Sequence, residues 1–336
     1  MATSDSRTTT IWFADPQATD LSQVGGKGAN LGRLTQAGFV VPPGFVVGTT
    51  AYAAHIEGLK GQIADLLGTV NYNDPEKLEA SVSEIRSWIT TAKMPSAVAD
   101  EIARAYEKLG GDLYVAVRSS GTAEDLIGAS FAGLHDTYLD IRGRDQVIDA
   151  VKRCWASLWT ARAAFYRHTQ GFDHFSTSIA VVVQTMVESE VSGVMFTGNP
   201  INAATDQIVI NASWGLGEAV VSGIVTPDEF IVRHKDLKVL NRTLGMKEVQ
   251  IVRDADTGNG TIKEIVPERR RTVFTLSPEQ VTALAEIGRR IQAAYEGFPQ
   301  DIEWAYQAGK FYVLQARPIT GVEFSWDADV TDSVQG

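Results

Sequence analysis

Hydrophobic and polar positions recur along this chain with two different periods, which predict short strands and amphipathic helices. Compact apolar runs are typical of buried strands, and they occur at 11–14, 113–117, 179–183, 192–197, 207–211 and 230–233. A further strand is expected at 135–141. Helical spacing predicts helices over 29–36, in several hairpins within 51–109, over 145–170 and from Pro278 to about Glu296. The chain is therefore expected to mix strands and helices throughout.

The segment 145–170 is predicted to be one long amphipathic helix that supplies the core. It contains four aromatic residues and the only cysteine of the chain, at helical spacing: Cys154, Trp155, Trp159, Phe165 and Tyr166. Aromatic residues in this pattern usually pack in a core, and a lone buried cysteine usually behaves as a small apolar residue.

The segment 301–320 reads as two short strands joined by a turn at 307–310. If the strand register places Glu303 and Gln315 on one face, an acid and an amide oxygen together form a hard-oxygen site for Mg²⁺. Arg317 follows two residues later and can hold a phosphate. The alternative is a hairpin with a solvated polar face.

Two earlier segments offer cationic groups. Residues 25–28 form a glycine-rich turn that carries Lys27 and opens a helix, so the backbone can approach a phosphate closely; a tight turn with an exposed lysine is the alternative. Arg118 is predicted at the end of a buried strand, a common place for an anion site. The small residues at 128–133 around Phe131 predict a loop that closes over a triphosphate, or else a surface turn.

The segment 184–188 suits an adenosine. Its backbone would read the adenine edge beside Met186, and the carboxylate of Glu188 would accept a hydrogen bond from a ribose hydroxyl. Together the segments supply what ATP requires, because its triphosphate must be neutralised by cations before a nucleophile can approach phosphorus.

Composition limits the function classes. The chain has 336 residues, enough for two lobes, and a net charge of −11, which argues against broad binding to nucleic acid or to an anionic membrane. A single cysteine fits a reducing compartment, and the polar N-terminus lacks the apolar core of a signal peptide. We expect a cytoplasmic protein without a membrane span.

The motifs, taken in order, resemble a known family. GGKGANLG, VRSSGTAEDL, ASFAGLHDTYL, VVVQTMV, SGVMFTGNP, SWGLGEAVVSG, TPDEF and DIEWA…LQARPIT are similar to the N-terminal ATP-grasp domain shared by phosphoenolpyruvate synthase, pyruvate phosphate dikinase and rifampicin phosphotransferase. The resemblance implies an α+β, two-lobed ATP-grasp fold with a helical N-terminal insertion. From the residues themselves we expect a disordered N-terminus at 1–10, lobe 1 at 11–190, lobe 2 at 191–320 and a tail or linker at 321–336.

The same resemblance implies the ligands, ATP and Mg²⁺, and the roles of individual residues. Phosphates would be bound by Lys27 and Arg118, with Arg317 beside the terminal phosphates and Gly133 and Thr137 in the flap above them. Adenine would lie at Gln184, Met186 and Val187, and the ribose at Glu188. Glu303 and Gln315 would hold Mg²⁺; for Gly217 and Glu218 a structural role stays open.

In this family the β-phosphoryl group of ATP passes to a histidine on a separate swivelling domain, and AMP and phosphate are released. None of the five histidines here lies in the Gly/Ser/Thr-rich loop that carries this histidine: His55, His135, His168, His174 and His234. The expected partner is therefore a separate histidine-bearing domain or subunit, as in phenylphosphate synthase, with phenol as the final acceptor. The alternative is an excised ATP-binding domain of a phosphoenolpyruvate synthase or rifampicin phosphotransferase.

Two more distant alternatives belong to other classes. A stand-alone ATP-grasp ligase would form an acyl phosphate and ADP without a partner histidine. A non-catalytic nucleotide sensor would lose the metal ligands or phosphate cations, which this sequence retains.

Overall fold

A computed structural model describes residues 9–122 and 136–324. These residues form two compact units. Unit 1 comprises residues 9–36, 43–122, 136–186 and 258–260, and unit 2 comprises residues 37–42, 187–257 and 261–324. The division follows Met186, whereas the sequence placed the lobe boundary after residue 190. No helix within the described ranges is both long and apolar enough to cross a membrane.

Unit 1 contains a five-stranded antiparallel sheet in the order β1-β2-β5-β3-β4. Its strands are β1 (Thr10–Trp12), β2 (Gly44–Val47), β3 (Val115–Gly121), β4 (Thr137–Ile141) and β5 (Ile179–Thr185). β3 is buried along its whole length and β5 along all but its last residue. Burial on both faces explains why β5 reads as a continuous run of valine and isoleucine rather than as an alternating strand.

Helices make up the rest of unit 1. They are α1 (Leu21–Gln36), α2 (Thr49–Ile56), α3 (Lys60–Thr69), α4 (Pro75–Thr91), α5 (Ser96–Leu109), α6 (Arg144–Ala156) and α7 (Ala161–Thr169), with 3₁₀ turns at Pro16–Thr19 and Glu57–Leu59. The core between the helices and the sheet includes Phe45, Ile85, Val117 and Trp155. The hairpins expected within 51–109 are confirmed as α2 to α5.

The single helix predicted over 145–170 is wrong. The chain forms two helices, because Thr160 caps the second one by accepting a hydrogen bond from the backbone N–H of Ala163. Trp155, Trp159 and Cys154 are fully buried, as expected, whereas Phe165 is 42% exposed. Residue 165 therefore lies outside the core face that the periodicity suggested.

Unit 2 contains a six-stranded antiparallel sheet in the order β13-β12-β6-β7-β8-β9 and a separate ribbon of β10 and β11. Its strands are β6 (Val191–Phe196), β7 (Gln207–Trp214), β8 (Asp228–Arg233), β9 (Val239–Thr243), β10 (Val249–Arg253), β11 (Thr261–Ile265), β12 (Gln300–Gln307) and β13 (Lys310–Pro318). Its helices are α8 (Glu218–Val221), α9 (Glu268–Arg271) and α10 (Pro278–Ala294). With mixed helices and antiparallel sheets, the fold class is α+β.

Helix α10 covers one face of the six-stranded sheet. Ser277 and Gln280 form a capping box at its start, which confirms the helix start predicted at Ser277–Pro278. A Cβ atom on Gly288 would lie 2.7 Å from Cε of Met195 on β6. Met195 therefore points towards α10, and residues on the opposite sheet face point away from it.

Several element boundaries differ from the expected ones. Thr10 pairs with Val47 in the first sheet and is 6% exposed, so the disordered N-terminus predicted at 1–10 is too long. The tail predicted from residue 321 includes Phe324, which is buried. β3 continues to Gly121 because Ser119, Ser120 and Gly121 pair with β5, so Arg118 lies within a strand and not at its end.

A buried ion pair anchors the segment that follows β9. Lys247 and Asp228 are both completely buried and in direct contact. Asp228 also accepts hydrogen bonds from the Thr275 N–H at 2.7 Å and from the Gly245 N–H at 2.9 Å. Four contacts to one buried carboxylate, including the Thr275 hydroxyl, satisfy its oxygen atoms.

We expect Lys247→Met to lower the free energy of unfolding by about 3–5 kcal/mol, since it leaves the Asp228 carboxylate buried without a counter-charge. The exposed Lys238→Met variant is the control, with an expected change within about 0.5 kcal/mol. Urea unfolding followed by circular dichroism measures both. Equal midpoints for the two variants would contradict a stabilising role for the pair.

Candidate functional site

The glycine-rich loop at the start of α1 is held against strand β3. Gly25 has φ 67° and breaks the helix, and a Cβ atom there would lie 2.2 Å from the carbonyl oxygen of Ser120. The Gly28 N–H donates to Oγ of Ser120 at 3.1 Å, and this hydroxyl donates to the Val24 carbonyl at 2.8 Å. Lys27 is half-buried within this loop. A glycine is required at position 25 because no other residue allows this approach.

Arg118 contacts a second predicted site residue directly. Its Nη2 donates to Oε1 of Gln184 at 2.8 Å, and both side chains are buried. Arg118 pairs with Val182 on β5, so Gln184 is its diagonal neighbour on the same face of the sheet. This contact with a neutral amide orients the guanidinium without cancelling its positive charge.

Strand β4 adds a third group to this face. Thr137 is exposed and is the cross-strand partner of Arg118. Ser120 holds the glycine-rich loop at 25–28 that carries Lys27, here called the lysine loop. It lies two residues after Arg118 and therefore on the same face. The lysine loop, Arg118, Gln184 and Thr137 are thus brought together in unit 1. Gly133 and the rest of the predicted flap at 128–133 lie outside the described residues.

Cys154 takes no part in this group. Its thiol is fully buried, and burial raises its pKa. Sγ lies 3.7 Å from the Val117 carbonyl oxygen, on the core side of β3. A thiol held in its neutral form is a poor nucleophile, which agrees with its predicted role in packing.

Part of the backbone expected to read adenine is already engaged. The Met186 N–H donates to the Tyr114 carbonyl at 2.9 Å, and the Val187 carbonyl accepts from the Ser189 N–H at 2.9 Å. The adenine contacts of Met186 and Val187 remain predictions.

Glu188, predicted to bind a ribose, forms an ion pair within unit 2. Its Oε1 accepts a hydrogen bond at 2.5 Å from Nη1 of Arg253, the last residue of β10. Its side chain is 65% exposed, so the carboxylate also faces solvent. Arg253 could not be predicted from the sequence, because the contact depends on where the β10–β11 ribbon folds.

The predicted hairpin of β12 and β13 is confirmed, and Glu303 and Gln315 are direct cross-strand partners. A bulge between Glu303 and Trp304 creates this register. Without it, regular pairing from the turn would place Leu314 opposite Glu303. Directly opposed residues have Cβ atoms about 5 Å apart on one face, close enough for both side chains to reach one ion.

The chemistry of this pair fits Mg²⁺. Oε1 of Gln315 is buried and has no hydrogen-bond partner within the described ranges, and Glu303 is half-buried beside it. A buried oxygen without a donor suits a cation, and a carboxylate with an amide oxygen is a hard-oxygen set. No cluster of three or more His, Cys, Asp or Glu in the described part of the chain could hold a metal alone. Water and phosphate oxygens would therefore complete the shell.

Asp301, which was not predicted as a site residue, lies on the same face as Glu303. Its Oδ2 accepts hydrogen bonds from Nε of Arg317 at 2.9 Å, and Nη2 of Arg317 lies equally close. Burial raises the pKa of Asp301, while Arg317 acts in the opposite direction. The signal was present, since Asp301 precedes Glu303 by two residues in an alternating strand.

The glycine-rich corner after β7 leads into the four-residue helix α8. Oε2 of Glu218 accepts a hydrogen bond from the Thr261 hydroxyl at 3.2 Å, and Gly217 lies at the N-cap of α8. These contacts hold the corner in unit 2. A structural role for both residues, which the sequence left open, agrees with these contacts.

Comparison with known protein families shows the family to which the chain belongs. The model of the pyruvate phosphate dikinase AMP/ATP-binding domain matches residues 21–335. The chain belongs to this family. The resemblance found from the sequence motifs is thereby confirmed, and ATP binding is the property that the family description supports.

Individual relatives of this dikinase-family chain are longer proteins. A probable phosphoenolpyruvate synthase of Pyrococcus horikoshii is 44% identical over 96% of this chain and 44% of its own length. The phosphoenolpyruvate synthase of Pyrococcus furiosus is also 44% identical, over 96% of this chain and 45% of the relative. A rifampicin phosphotransferase of a Streptomyces species is 41% identical over 91% of this chain and 35% of the relative. The chain spans less than half the length of these relatives.

A solved structure is a much weaker match. D-alanyl-alanine synthetase A of Vibrio cholerae is 11% identical, with a TM-score of 0.27 over 71% of this chain and 54% of that one. A similarity this low carries no argument about the fold.

We expect Gly25→Ala to destabilise unit 1 more than Gly171→Ala does. Both glycines have positive φ, 67° and 68°, but a Cβ atom at Gly171 meets nothing within 4 Å. The control should therefore lose about 1–2 kcal/mol from backbone strain alone, and Gly25→Ala should lose more because the loop must leave Ser120. Thermal unfolding midpoints compare the two; a smaller loss for Gly25→Ala would contradict the tight packing of the loop.

Proposed function

We propose that this chain is the ATP-binding region of a phosphoenolpyruvate synthase-type dikinase. It binds Mg–ATP and transfers the β-phosphoryl group to a histidine of a separate domain or subunit. One water is consumed, and AMP and phosphate are released. The observation that carries the proposal is the family match to an AMP/ATP-binding domain, combined with a cationic face in unit 1 and a carboxylate–amide pair in unit 2.

Each group has a distinct task in this proposal. Lys27 and Arg118 neutralise phosphate oxygens, and Arg317 lies beside the terminal phosphates, so that charge repulsion on an attacking nucleophile falls. Glu303 and Gln315 hold Mg²⁺, which when bound offsets the charge developing on the phosphates. The fold that accompanies this function is the ATP-grasp fold expected from the sequence.

The described histidines support an external acceptor. Nε2 of His55 lies 2.8 Å from the Ile89 carbonyl, Nε2 of His174 lies 3.1 Å from the Tyr72 hydroxyl, and Nε2 of His234 lies 3.0 Å from the Gln292 amide oxygen. The His168 ring stacks on Tyr72. All four are thus engaged with residues that have no assigned role in ATP binding.

The relatives favour the phosphoenolpyruvate synthase alternative over the phenylphosphate synthase interpretation. Those reported above are named phosphoenolpyruvate synthase or rifampicin phosphotransferase. A phosphohistidine made by this chain would accordingly serve pyruvate or an antibiotic rather than phenol. The relatives include both phosphoenolpyruvate synthases and a rifampicin phosphotransferase. In this proposal the acceptor pocket of the partner decides between the two acceptors.

The decisive experiment uses [β-³²P]ATP, Mg²⁺ and the histidine-bearing domain of a phosphoenolpyruvate synthase relative. We expect label on that domain and AMP among the products, both lost in Glu303→Ala and Arg317→Ala. Glu323→Ala, an exposed acid near the end of the hairpin, is the control and should label normally. Formation of ADP with an added acid and amine would instead indicate a ligase. Normal labelling by Glu303→Ala would remove its metal role.

Arg118→Ala should weaken binding of Mg–ATP about tenfold or more, since a charge-assisted hydrogen bond contributes roughly 1.5–3 kcal/mol. Adenosine, which lacks phosphates, should bind almost as it does to the unmodified chain. Isothermal titration with both ligands measures the difference, and the exposed Arg104→Ala variant controls for loss of charge. Equal losses for ATP and adenosine would place Arg118 away from the phosphates.

A further inference from the structure

The sheet face that carries Glu303 and Gln315 contains a second pair of the same chemical kind. The register runs from Gln315 through Glu303 and Val194 to Asn211, and from there to Glu229. Side chains of directly opposed residues in an antiparallel sheet lie on the same face. Asn211 and Glu229 are therefore an amide and a carboxylate on neighbouring strands, as Gln315 and Glu303 are.

Distances along this row follow from the strand spacing. Adjacent strands lie about 4.8 Å apart, so the backbones at Glu303 and Asn211, two strands apart, are separated by about 10 Å across the sheet. Asn211 and Glu229 are adjacent, with Cβ atoms about 5 Å apart, close enough to share one ion. Val194, between the two pairs, offers no ligand. Two ions on this face would therefore occupy separate positions.

The side chains of Asn211 and Glu229 are both half-buried, and neither makes a hydrogen bond or ion pair with any residue in the ranges 9–122 and 136–324. Partial burial removes water from a carboxylate, which raises the free energy of the charge unless a cation compensates for it. Amide and carboxylate oxygens are ligands for Mg²⁺ and Mn²⁺. The flanking carboxylates make the row suitable for a cation and unsuitable for a bare anion.

An independent observation supports a ligand here. Ser213 lies two residues after Asn211 on β7 and therefore on the same face. It is 1% exposed, and its Oγ has no hydrogen-bond partner among the residues that the structure describes. Gln315 presents a similar buried oxygen at the other end of the row. Buried polar atoms rarely lack partners, so both point to a group that binds on this face.

We propose that Asn211 and Glu229 form a second divalent-cation site on this face, next to the site at Glu303 and Gln315. The ligands are the side-chain oxygens of both residues, and water or ligand oxygens complete the shell. Cation binding at this pair does not depend on the reaction. Its use beside the phosphates of Mg–ATP rests on the proposed function.

Mn²⁺ is a suitable probe, because it takes the same oxygen ligands as Mg²⁺ and is detected by electron paramagnetic resonance. Titration of the full chain with Mn²⁺ should give two sites. Glu229→Gln and Asn211→Ala should each abolish the second site and leave the site at Glu303 and Gln315. Glu303→Gln should do the reverse and leave only the second site. Asn211→Asp should keep two sites and tighten the second about tenfold, because it adds a charge. Circular dichroism establishes that each variant is folded.

Glu268→Gln, an exposed acid in unit 2, is the matched control and should leave both sites unchanged. Manganese-soaked crystals locate the second ion directly, with an anomalous peak within ligand distance of Asn211 and Glu229 expected. Fewer than two Mn²⁺ in the unmodified chain, or two sites that Glu229→Gln does not alter, would overturn the proposal. A chain that binds two Mn²⁺ but no ATP would refute the proposed function and leave this site standing.

Discussion

The packing of helix α10 against one face of the six-stranded sheet is the constraint on which the chemistry of unit 2 depends. Ile302, Met195 and Ile210 are opposed across three neighbouring strands and are completely buried. A charged residue in this row would be transferred into an apolar layer at a cost of several kcal/mol. Alternation then assigns the polar residues of the same strands to the opposite face. The functional surface is thus a consequence of how the core is filled.

In unit 1 the comparable constraint is the burial of Arg118 in a central strand. A buried guanidinium needs hydrogen-bond acceptors, and Gln184 on the neighbouring strand supplies one. Because β3 and β5 are held by their neighbours on both sides, the direction of the arginine side chain is fixed before any ligand arrives. Ser120 extends this rigidity to the lysine loop. Groups held on strands reach a narrower range of positions than groups on loops.

The helices and strands of this chain could be predicted from the sequence more accurately than their ends and their pairing partners. The hairpin could be predicted, because the turn at Ala308–Gly309 and the alternation of apolar and polar residues in β12 are recognisable in the sequence. The bulge at Leu314 could not, although it decides which residue opposes Glu303. Counting in steps of two from Val313 would place Gln315 on the apolar face. A bulge arises from packing across the whole sheet, which local periodicity does not contain.

Other differences have the same physical origin. The break between α6 and α7 depends on one capping hydroxyl, Thr160, within a segment whose composition is helical throughout. Arg118 was expected at a strand end because small polar residues follow it, but pairing with β5 overrides their weak strand preference. The pairing of Asn211 with Glu229 could not be predicted, because the two residues lie 18 positions apart and only the strand register makes them neighbours.

Strand β9 is the outer strand of its sheet on the side away from the hairpin, and its sequence has a further consequence. Its last three residues, Asn241, Arg242 and Thr243, are polar and exposed. The Arg242 guanidinium lies 5.1 Å from the centre of the Phe274 ring, which keeps the charge beside the strand. A charged outer strand discourages another molecule from adding a strand of its own. The chain thereby carries protection against self-association into extended sheets.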